Sequence, residues 1–200
     1  MISGNSLGQR LASLAIAILL CVGPTPGLAA ETWGLEQLMA MFAQVQAANA
    51  RFVERNNLSL LNEPVETSGT LSYVRPHIVE KQTLQPQREI LRVEGDRLTL
   101  NQADGTTRSL SVSAMPEIEA YVESIRATLS GDLARLKRFY NVALEGAAEG
   151  WRLQLAPLNQ NVSETVRLII ISGSNGSIGQ VDVYQTDGDH SSMTIFPGSA

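Results

Sequence analysis

Reactive side chains are scarce in this 200-residue chain. It contains two histidines, His77 and His190, and one cysteine, Cys21. Two histidines are too few for a multi-histidine metal site, and one cysteine cannot supply a set of thiolate ligands. Because Cys21 lies in an N-terminal segment that we expect to be cleaved, a cysteine nucleophile is excluded from the mature chain as well. We therefore expect no metal and no other cofactor.

The segment Gly188–Ser192 has the residue types of a serine hydrolase. Such an enzyme needs a serine nucleophile, a histidine base and a carboxylate that orients the base, and this segment places Asp189, His190 and Ser191 side by side. Adjacent residues on a strand point to opposite faces, so these three side chains cannot easily form a relay. We interpret the segment as the shoulder of a hairpin and predict no catalytic residues in it.

The glycine-rich segment Gly173–Gly179 has some features of a phosphate-binding loop. A phosphate loop of this kind leads into a helix and contains a lysine. Here the segment contains no lysine and is followed by the strand-like residues Gln180–Tyr184. The sequence therefore indicates a hairpin turn, and we predict that the protein is not an enzyme.

Arg75 is the polar residue that most needs an explanation, because it ends an apolar-faced strand and precedes Pro76. Its guanidinium can point into solvent, or it can turn inward and donate to backbone carbonyls or a carboxylate. Pro76 favours an extended backbone at Arg75 and cannot donate a ladder hydrogen bond, which is typical of a sheet edge or a bend. The local sequence leaves both orientations open.

Extended segments surround Arg75, from Ala50 to Asp104. In the segment before Arg75, residues 69, 71 and 73 fall on a mainly apolar side, whereas residues 70, 72 and 74 fall on the other. Further strands follow from Phe139, and Asn175-Gly176 and Asp187-Gly188 are hairpin signals between them. Several such strands must share one apolar surface.

Three helical segments accompany these strands. The first has an apolar stripe that runs from Leu35 to Val45, and the third covers Leu133–Arg138. In the second, which begins at Pro116, the apolar residues share one face, whereas Glu123 and Arg126 fall on the opposite face. We predict an α+β fold, namely a curved antiparallel half-barrel sheet whose concave face is covered by helices.

The first thirty residues predict a secretory signal peptide. Arg10 precedes an apolar run from Leu11 to Val22, and the small residues Ala29 and Ala30 follow. We expect residues 1–30 to be cleaved and residues 31–200 to form a single domain. Without Arg10 the chain has 14 basic and 20 acidic residues, a net charge of −6 with neutral histidines. This charge argues against general nucleic-acid binding.

The strand that ends in Arg-Pro is the most distinctive part of a wider resemblance. The resemblance rests on Gly69–Pro76, GTLSYVRP, on ARFVE at residues 50–54 before this strand, and on Pro86, Ile90-Leu91, Gly95 and Leu98 after it. In these residues the chain resembles the LolA family of periplasmic outer-membrane lipoprotein carriers. The second half is similar as well, through Trp151–Pro157 and the hairpins around Gly176 and Gly188. The likeness covers most of residues 31–200.

This resemblance implies a periplasmic carrier, a transport chaperone of outer-membrane biogenesis. Members of the family fold as an unclosed antiparallel half-barrel covered by helices, and their hydrophobic cavity accepts acyl chains during transfer. Arg75 matches the family arginine that hydrogen-bonds to the helical lid and keeps the empty cavity closed, so Arg75 is the expected latch. The implied partners are lipoprotein or lipid acyl chains, an inner-membrane exporter and an outer-membrane acceptor, and the expected state is a monomer.

The carrier hypothesis assigns residues to two surfaces. Candidates for the acyl-cavity wall are apolar strand residues, namely Leu71, Tyr73, Ile78, Leu98, Leu100, Leu153, Leu155, Leu168 and Ile170. Candidates for the lid are apolar helix residues, namely Phe42, Ile118, Val122 and Ile125. For each of these residues, plain core packing is the alternative interpretation.

Two differences from the family bear on the cargo. The sequence ends at Ala200, soon after its last apolar strand, whereas the best-known carriers continue with a further segment, and only 5% of the residues are aromatic. We therefore expect a LolA-related variant whose cargo can be another lipid or lipid-linked product. The alternative is a module of the same fold that does not transport, but senses lipoproteins or docks a protein.

Overall fold

A computed structural model describes residues 33–198. The predicted signal peptide, residues 1–30, lies outside the described residues. Within the described part of the chain, no helix is both long enough and apolar enough to span a membrane.

Eleven strands form one antiparallel sheet in this part of the chain. The spatial order is β6-β5-β4-β3-β2-β1-β11-β10-β9-β8-β7, so β6 and β7 are the two edges and the sheet does not close into a barrel. The strands are β1 Ala47–Asn57, β2 Val65–Val74, β3 Ile78–Gln85, β4 Glu89–Glu94, β5 Arg97–Gln102, β6 Thr107–Ser111, β7 Tyr140–Ala147, β8 Gly150–Pro157, β9 Val166–Ser174, β10 Ser177–Gln185 and β11 His190–Pro197.

Within residues 33–198, four helices accompany the sheet: α1 Leu35–Ala43, α2 Pro116–Ser130, α3 Leu133–Phe139 and α4 Gln160–Ser163. Helix α2 ends at Gly131, whose φ of 69° is left-handed and therefore suits glycine. Asp132 then begins α3 as its N-cap, because its side chain accepts a hydrogen bond from the backbone N–H of Arg135. One residue pair thus ends one helix and starts the next.

The register identifies the face of the sheet that the helices cover. Residues directly opposite each other in an antiparallel pair point to the same face. Val79 lies opposite both Tyr73 and Val93, and Val93 lies opposite Leu98. Val93 and Leu98 are buried in one cluster with Val122 of α2, so this row of residues faces the helices. The predicted class, a curved antiparallel sheet with covering helices, is confirmed.

Most buried apolar residues of the described chain fall into two separate clusters. The larger one joins α1 and α2 to strands β7–β10, and its buried residues include Leu38, Phe42, Trp151 and Leu153. The smaller one joins α2 to strands β4 and β5 and comprises Val93, Leu98, Val112 and Val122. Helix α2 is therefore the element shared by both clusters, and the middle of the sheet lies between them.

Candidate functional site

Arg75 turns inward and connects the end of β2 to two helices. Its Nη1 donates to the Ala43 carbonyl at 2.6 Å, and its Nη2 donates to the Ser130 carbonyl at 3.2 Å. Ala43 and Ser130 are the last residues of α1 and α2. Carbonyls at this end of a helix have no partner within the helix, and the negative end of the helix dipole lies there. One guanidinium thus satisfies the C-termini of two helices. Of the two orientations that the sequence left open, the structure has the inward one.

The two helices lie in backbone contact beside Arg75. A Cβ placed on Gly131 would lie 2.1 Å from the Met39 carbonyl oxygen and 2.8 Å from the Ala43 nitrogen. Such distances are impossible for a side-chain carbon, so only glycine allows α1 to approach the end of α2 this closely. The close approach brings the carbonyls of Ala43 and Ser130 within reach of a single side chain.

A second arginine, Arg126 of α2, connects this helix to the turn between β2 and β3. Arg126 donates from Nη2 to the His77 carbonyl at 2.9 Å and from Nη1 to Glu123 Oε1 at 3.4 Å. Glu123 also accepts a hydrogen bond from Arg135 of α3. Glu123 is 2% exposed and Arg126 is 8% exposed, so this charged group is buried. The sequence places both residues on the polar face of α2, and they are buried because the β2–β3 turn and α3 cover that face.

A partly buried ion pair lies on the helix-facing side of the central strands. Lys81 Nζ of β3 lies 2.5 Å from Glu54 Oε2 of β1. Glu54 also accepts hydrogen bonds from Thr67 at 3.3 Å and from Ser191 at 2.7 Å. Burial opposes ionisation of Glu54, but the charge of Lys81 and the three hydrogen bonds outweigh it and lower the pKa of the carboxyl group. The sequence analysis missed this pair, because its partners lie 27 residues apart on strands that are not adjacent.

Tyr121 of α2 lies on a helical stripe that is not fully buried. Its side chain retains 38% exposure. Ile125 and Leu129 follow at the next positions of the same helical stripe. The stripe of α2 that carries Tyr121, Ile125 and Leu129 is therefore only partly covered by the rest of the protein.

Most of the candidate wall and lid residues lie on the facing sides of the sheet and the helices. The register and burial place Leu71, Tyr73, Leu98, Leu100, Leu153 and Leu155 on the helix-facing side of the sheet. Phe42 is buried in the larger core cluster, Val122 is buried in the smaller one with Ile118 packed against it, and Ile125 is half-buried. Several of these residues are thus also core residues, as the alternative interpretation of each allowed.

Three candidate wall residues lie on the opposite face. Leu168 and Ile170 alternate with Ile169 and Ile171, which are the buried residues of β9, so the expected register of this strand was wrong by one residue. Ile78 precedes the inward-facing Val79 and lies opposite the exposed Glu94. The inward positions are therefore Ile169, Ile171 and Val79.

The residues of the Gly188–Ser192 segment do not form a catalytic relay. Ser191 donates to Glu54 on the helix-facing side, whereas the His190 ring stacks on Tyr184 at a centroid distance of 4.4 Å on the other side. Asp189 accepts a hydrogen bond from the backbone N–H of Ser59. Serine, histidine and aspartate thus point in different directions, as the alternation of side chains along a strand predicts.

Comparison with known proteins gives one family match. The profile of a family described as outer membrane lipoprotein carrier protein LolA-like matches residues 28–200. No curated protein sequence matches the chain.

Several solved structures are similar at low sequence identity. A LolA superfamily protein from Nitrosomonas europaea is 10% identical, with 80% of this chain and 89% of that chain covered and a TM-score of 0.40. A putative outer membrane lipoprotein-sorting protein domain from Vibrio parahaemolyticus is 10% identical, with coverages of 80% and 88% and a TM-score of 0.43. A chain of the Pseudomonas aeruginosa MucA/MucB complex is 13% identical, with coverages of 83% and 56% and a TM-score of 0.39.

Proposed function

The chain belongs to the family of LolA-like outer membrane lipoprotein carrier proteins, and from this membership we propose that it is a periplasmic carrier of acylated cargo. It binds the acyl chains of lipoproteins or related lipids between the curved sheet and the helices. It receives this cargo from an inner-membrane exporter and passes it to an outer-membrane acceptor. The role is one of binding and transfer, without catalysis.

The observation that supports this proposal best is the pair of hydrogen bonds from Arg75 to Ala43 and Ser130. They hold the ends of α1 and α2 against the sheet, as a latch on a lid would. A hydrogen bond from a charged group contributes about 1.5–3 kcal/mol, and water replaces much of it once the group is exposed. The closed form is therefore favoured by only a few kcal/mol over an open form, which binding of an apolar chain can offset.

The ligand supplies free energy through burial of its methylene groups. Each buried CH₂ contributes about 0.8 kcal/mol, so a few methylenes outweigh the loss of the Arg75 hydrogen bonds. A longer chain leaves a surplus that keeps the cargo bound in water. Release then requires an acceptor whose own apolar site binds the chain more favourably.

The test compares ligand occupancy in three proteins purified from a periplasm: the wild type, Arg75→Leu, and the control Arg152→Leu. Arg152 is an exposed arginine on β8 between the inward residues Trp151 and Leu153. Mass spectrometry of an organic extract identifies any bound acylated lipid or lipoprotein, and a hydrophobic fluorescent probe measures affinity. Loss of about 1.4 kcal/mol of closing free energy corresponds to about tenfold tighter probe binding in Arg75→Leu.

The expected result is an acylated species in the wild type, a changed occupancy in Arg75→Leu, and wild-type behaviour in Arg152→Leu. Clean extracts from all three proteins, together with no binding of the probe, would overturn the carrier function. That outcome would favour the alternative of a non-transporting module that docks a protein, which co-purification of a stoichiometric partner would then identify.

A further inference from the structure

Lys81 is a cation flanked by leucines in one row of the concave face, and this row ends at Arg108 on β6. It lies opposite Leu71 on β2 and opposite Leu91 on β4, and Leu91 lies opposite Leu100 on β5. Side chains of directly opposite residues lie about 5 Å apart on the same face, so an acyl chain lying along this row would pass the ammonium group. The Lys81 side chain retains 28% exposure, so protein does not fully enclose it.

Most of the hydrogen-bond donors that the ion pair leaves unused belong to Lys81. Glu54 accepts from Lys81, Thr67 and Ser191, so its carboxylate already has three donors. The Lys81 ammonium has three N–H groups, and its contacts within residues 33–198 are with Glu54 and with the face of the Phe52 ring, 5.0 Å from its centroid. The site can therefore donate further hydrogen bonds to a ligand.

The charge of the pair limits which acceptor suits it. Lys81 and Glu54 neutralise each other, and a full anion placed beside Lys81 would also lie close to the Glu54 carboxylate. Repulsion between these two negative charges opposes the binding of a carboxylate or phosphate. A neutral carbonyl oxygen accepts the same hydrogen bond without that repulsion. The chemistry of the pair thus favours the carbonyl of an ester or amide.

We propose that Lys81 binds the ester or amide carbonyl at the head of the acyl chain, whereas the chain itself lies over Leu71, Leu91 and Leu100. This assignment rests on the proposed function and specifies its ligand as a neutral acyl ester or amide. Lys81 then sets the position of the cargo along the sheet, because the carbonyl is the only polar group of the buried part of such a chain.

Two ligands that differ only in this carbonyl provide the test. A monoacylglycerol carries an ester, and the 1-O-alkylglycerol of equal chain length carries an ether in its place. We expect the wild-type protein to bind the ester about tenfold more tightly, since a hydrogen bond from a charged donor is lost with the ether. Free fatty acid of the same length should bind more weakly than the ester at neutral pH.

Two variants and one control assign the preference to Lys81. Lys81→Met removes the donor, and the double variant Lys81→Met/Glu54→Gln also removes the charge that would be left unpaired. Lys137→Met is the control, because Lys137 is the other lysine of the sequence and lies exposed on α3. The ester preference should disappear in both Lys81 variants and persist in Lys137→Met. Bound monoacylglycerol should also protect Lys81, but not Lys137, from an amine-reactive reagent.

The possible failures are distinguishable. Tight binding of ester and ether with equal affinity by the wild type would overturn the role of Lys81 and leave the carrier function intact. An ester preference that survives in the double variant would likewise overturn it, and the ion pair would then serve only to stabilise the sheet. Binding of neither ligand, and of no hydrophobic probe, would overturn the carrier function itself.

Discussion

Replacing Gly131 by alanine tests the contact between α1 and α2 on which the Arg75 hydrogen bonds depend. The new Cβ would lie 2.1 Å from the Met39 carbonyl oxygen, whereas such carbons essentially never approach closer than 3.0 Å. The helices must therefore separate by about 0.9 Å, the difference between these two distances. If this displacement fell entirely on the bond from Arg75 to Ala43, its length would grow from 2.6 Å to about 3.5 Å, the limit of a hydrogen bond.

The energetic cost of this change has two parts that a control separates. At Gly131 the φ of 69° is itself unfavourable for alanine by about 1–2 kcal/mol. Gly95 has a φ of 57°, and a Cβ added there would have nothing within 4 Å, so Gly95→Ala incurs the backbone cost alone. Overpacking adds about 1–3 kcal/mol at Gly131. We expect Gly131→Ala to lose about 2–5 kcal/mol of unfolding free energy and Gly95→Ala about 1–2 kcal/mol.

Denaturant unfolding of both variants measures the difference, and binding of a hydrophobic probe reports whether the interior becomes more accessible. Tighter probe binding is expected for Gly131→Ala and wild-type binding for Gly95→Ala, since only the former separates the helices. Equal losses of stability in the two variants would refute the close approach of α1 and α2. Unequal losses with unchanged probe binding would refute the claim that this contact keeps the interior closed.

The buried charges and the register of β9 give three further predictions. Glu123→Gln leaves the buried charge of Arg126 without its carboxylate partner, so we expect it to lower the free energy of unfolding, measured with denaturant, by about 3–5 kcal/mol. Glu119→Gln on the same helix should lower the free energy of unfolding by less than about 1 kcal/mol. The pKa of Glu54 in the folded state lies below the ordinary value of 4.5. The ionised Glu54 carboxylate therefore contributes its full stabilisation above pH 4.5, and this contribution is lost as the pH falls through the folded-state pKa. The difference in stability between the wild type and Glu54→Gln should shrink over the same range of pH. Ile169→Ala should cost about 2–5 kcal/mol and Ile170→Ala clearly less, because only Ile169 is buried, and equal losses would contradict the register of β9.

Local alternation predicted the sheet well wherever one face alone was apolar. Trp151–Leu155 alternates apolar and polar residues, and its inward positions were predicted correctly. Residues 168–171 are Leu-Ile-Ile-Ile, apolar on both faces, so the period of two could not decide which pair points inward. The turns were predictable for a physical reason as well, since Asn175 and Gly188 both adopt the positive φ that their hairpin signals require.

The charged parts of the site could not be predicted from single elements. Glu123 and Arg126 occupy the polar side of an amphipathic helix, and such a pattern ordinarily indicates solvent. Their burial depends on α3 and the β2–β3 turn, which come from elsewhere in the chain. The pair of Lys81 and Glu54 requires β1 and β3 to flank β2 with one particular register, which is a property of the assembled sheet.

The two core clusters also indicate which side of the molecule would open in the proposed carrier. Stabilisation by apolar burial grows with the area buried, and the cluster that holds α2 to β4 and β5 is much smaller than the one that holds α1 and α2 to β7–β10. Arg75 and Arg126 both act between the helices and the β2–β3 turn, on the side where apolar burial is weak. Breaking polar contacts that water can replace costs less than exposing the larger core. We infer that opening separates α2 from the β3–β6 side of the sheet, which would admit an acyl chain directly over Lys81.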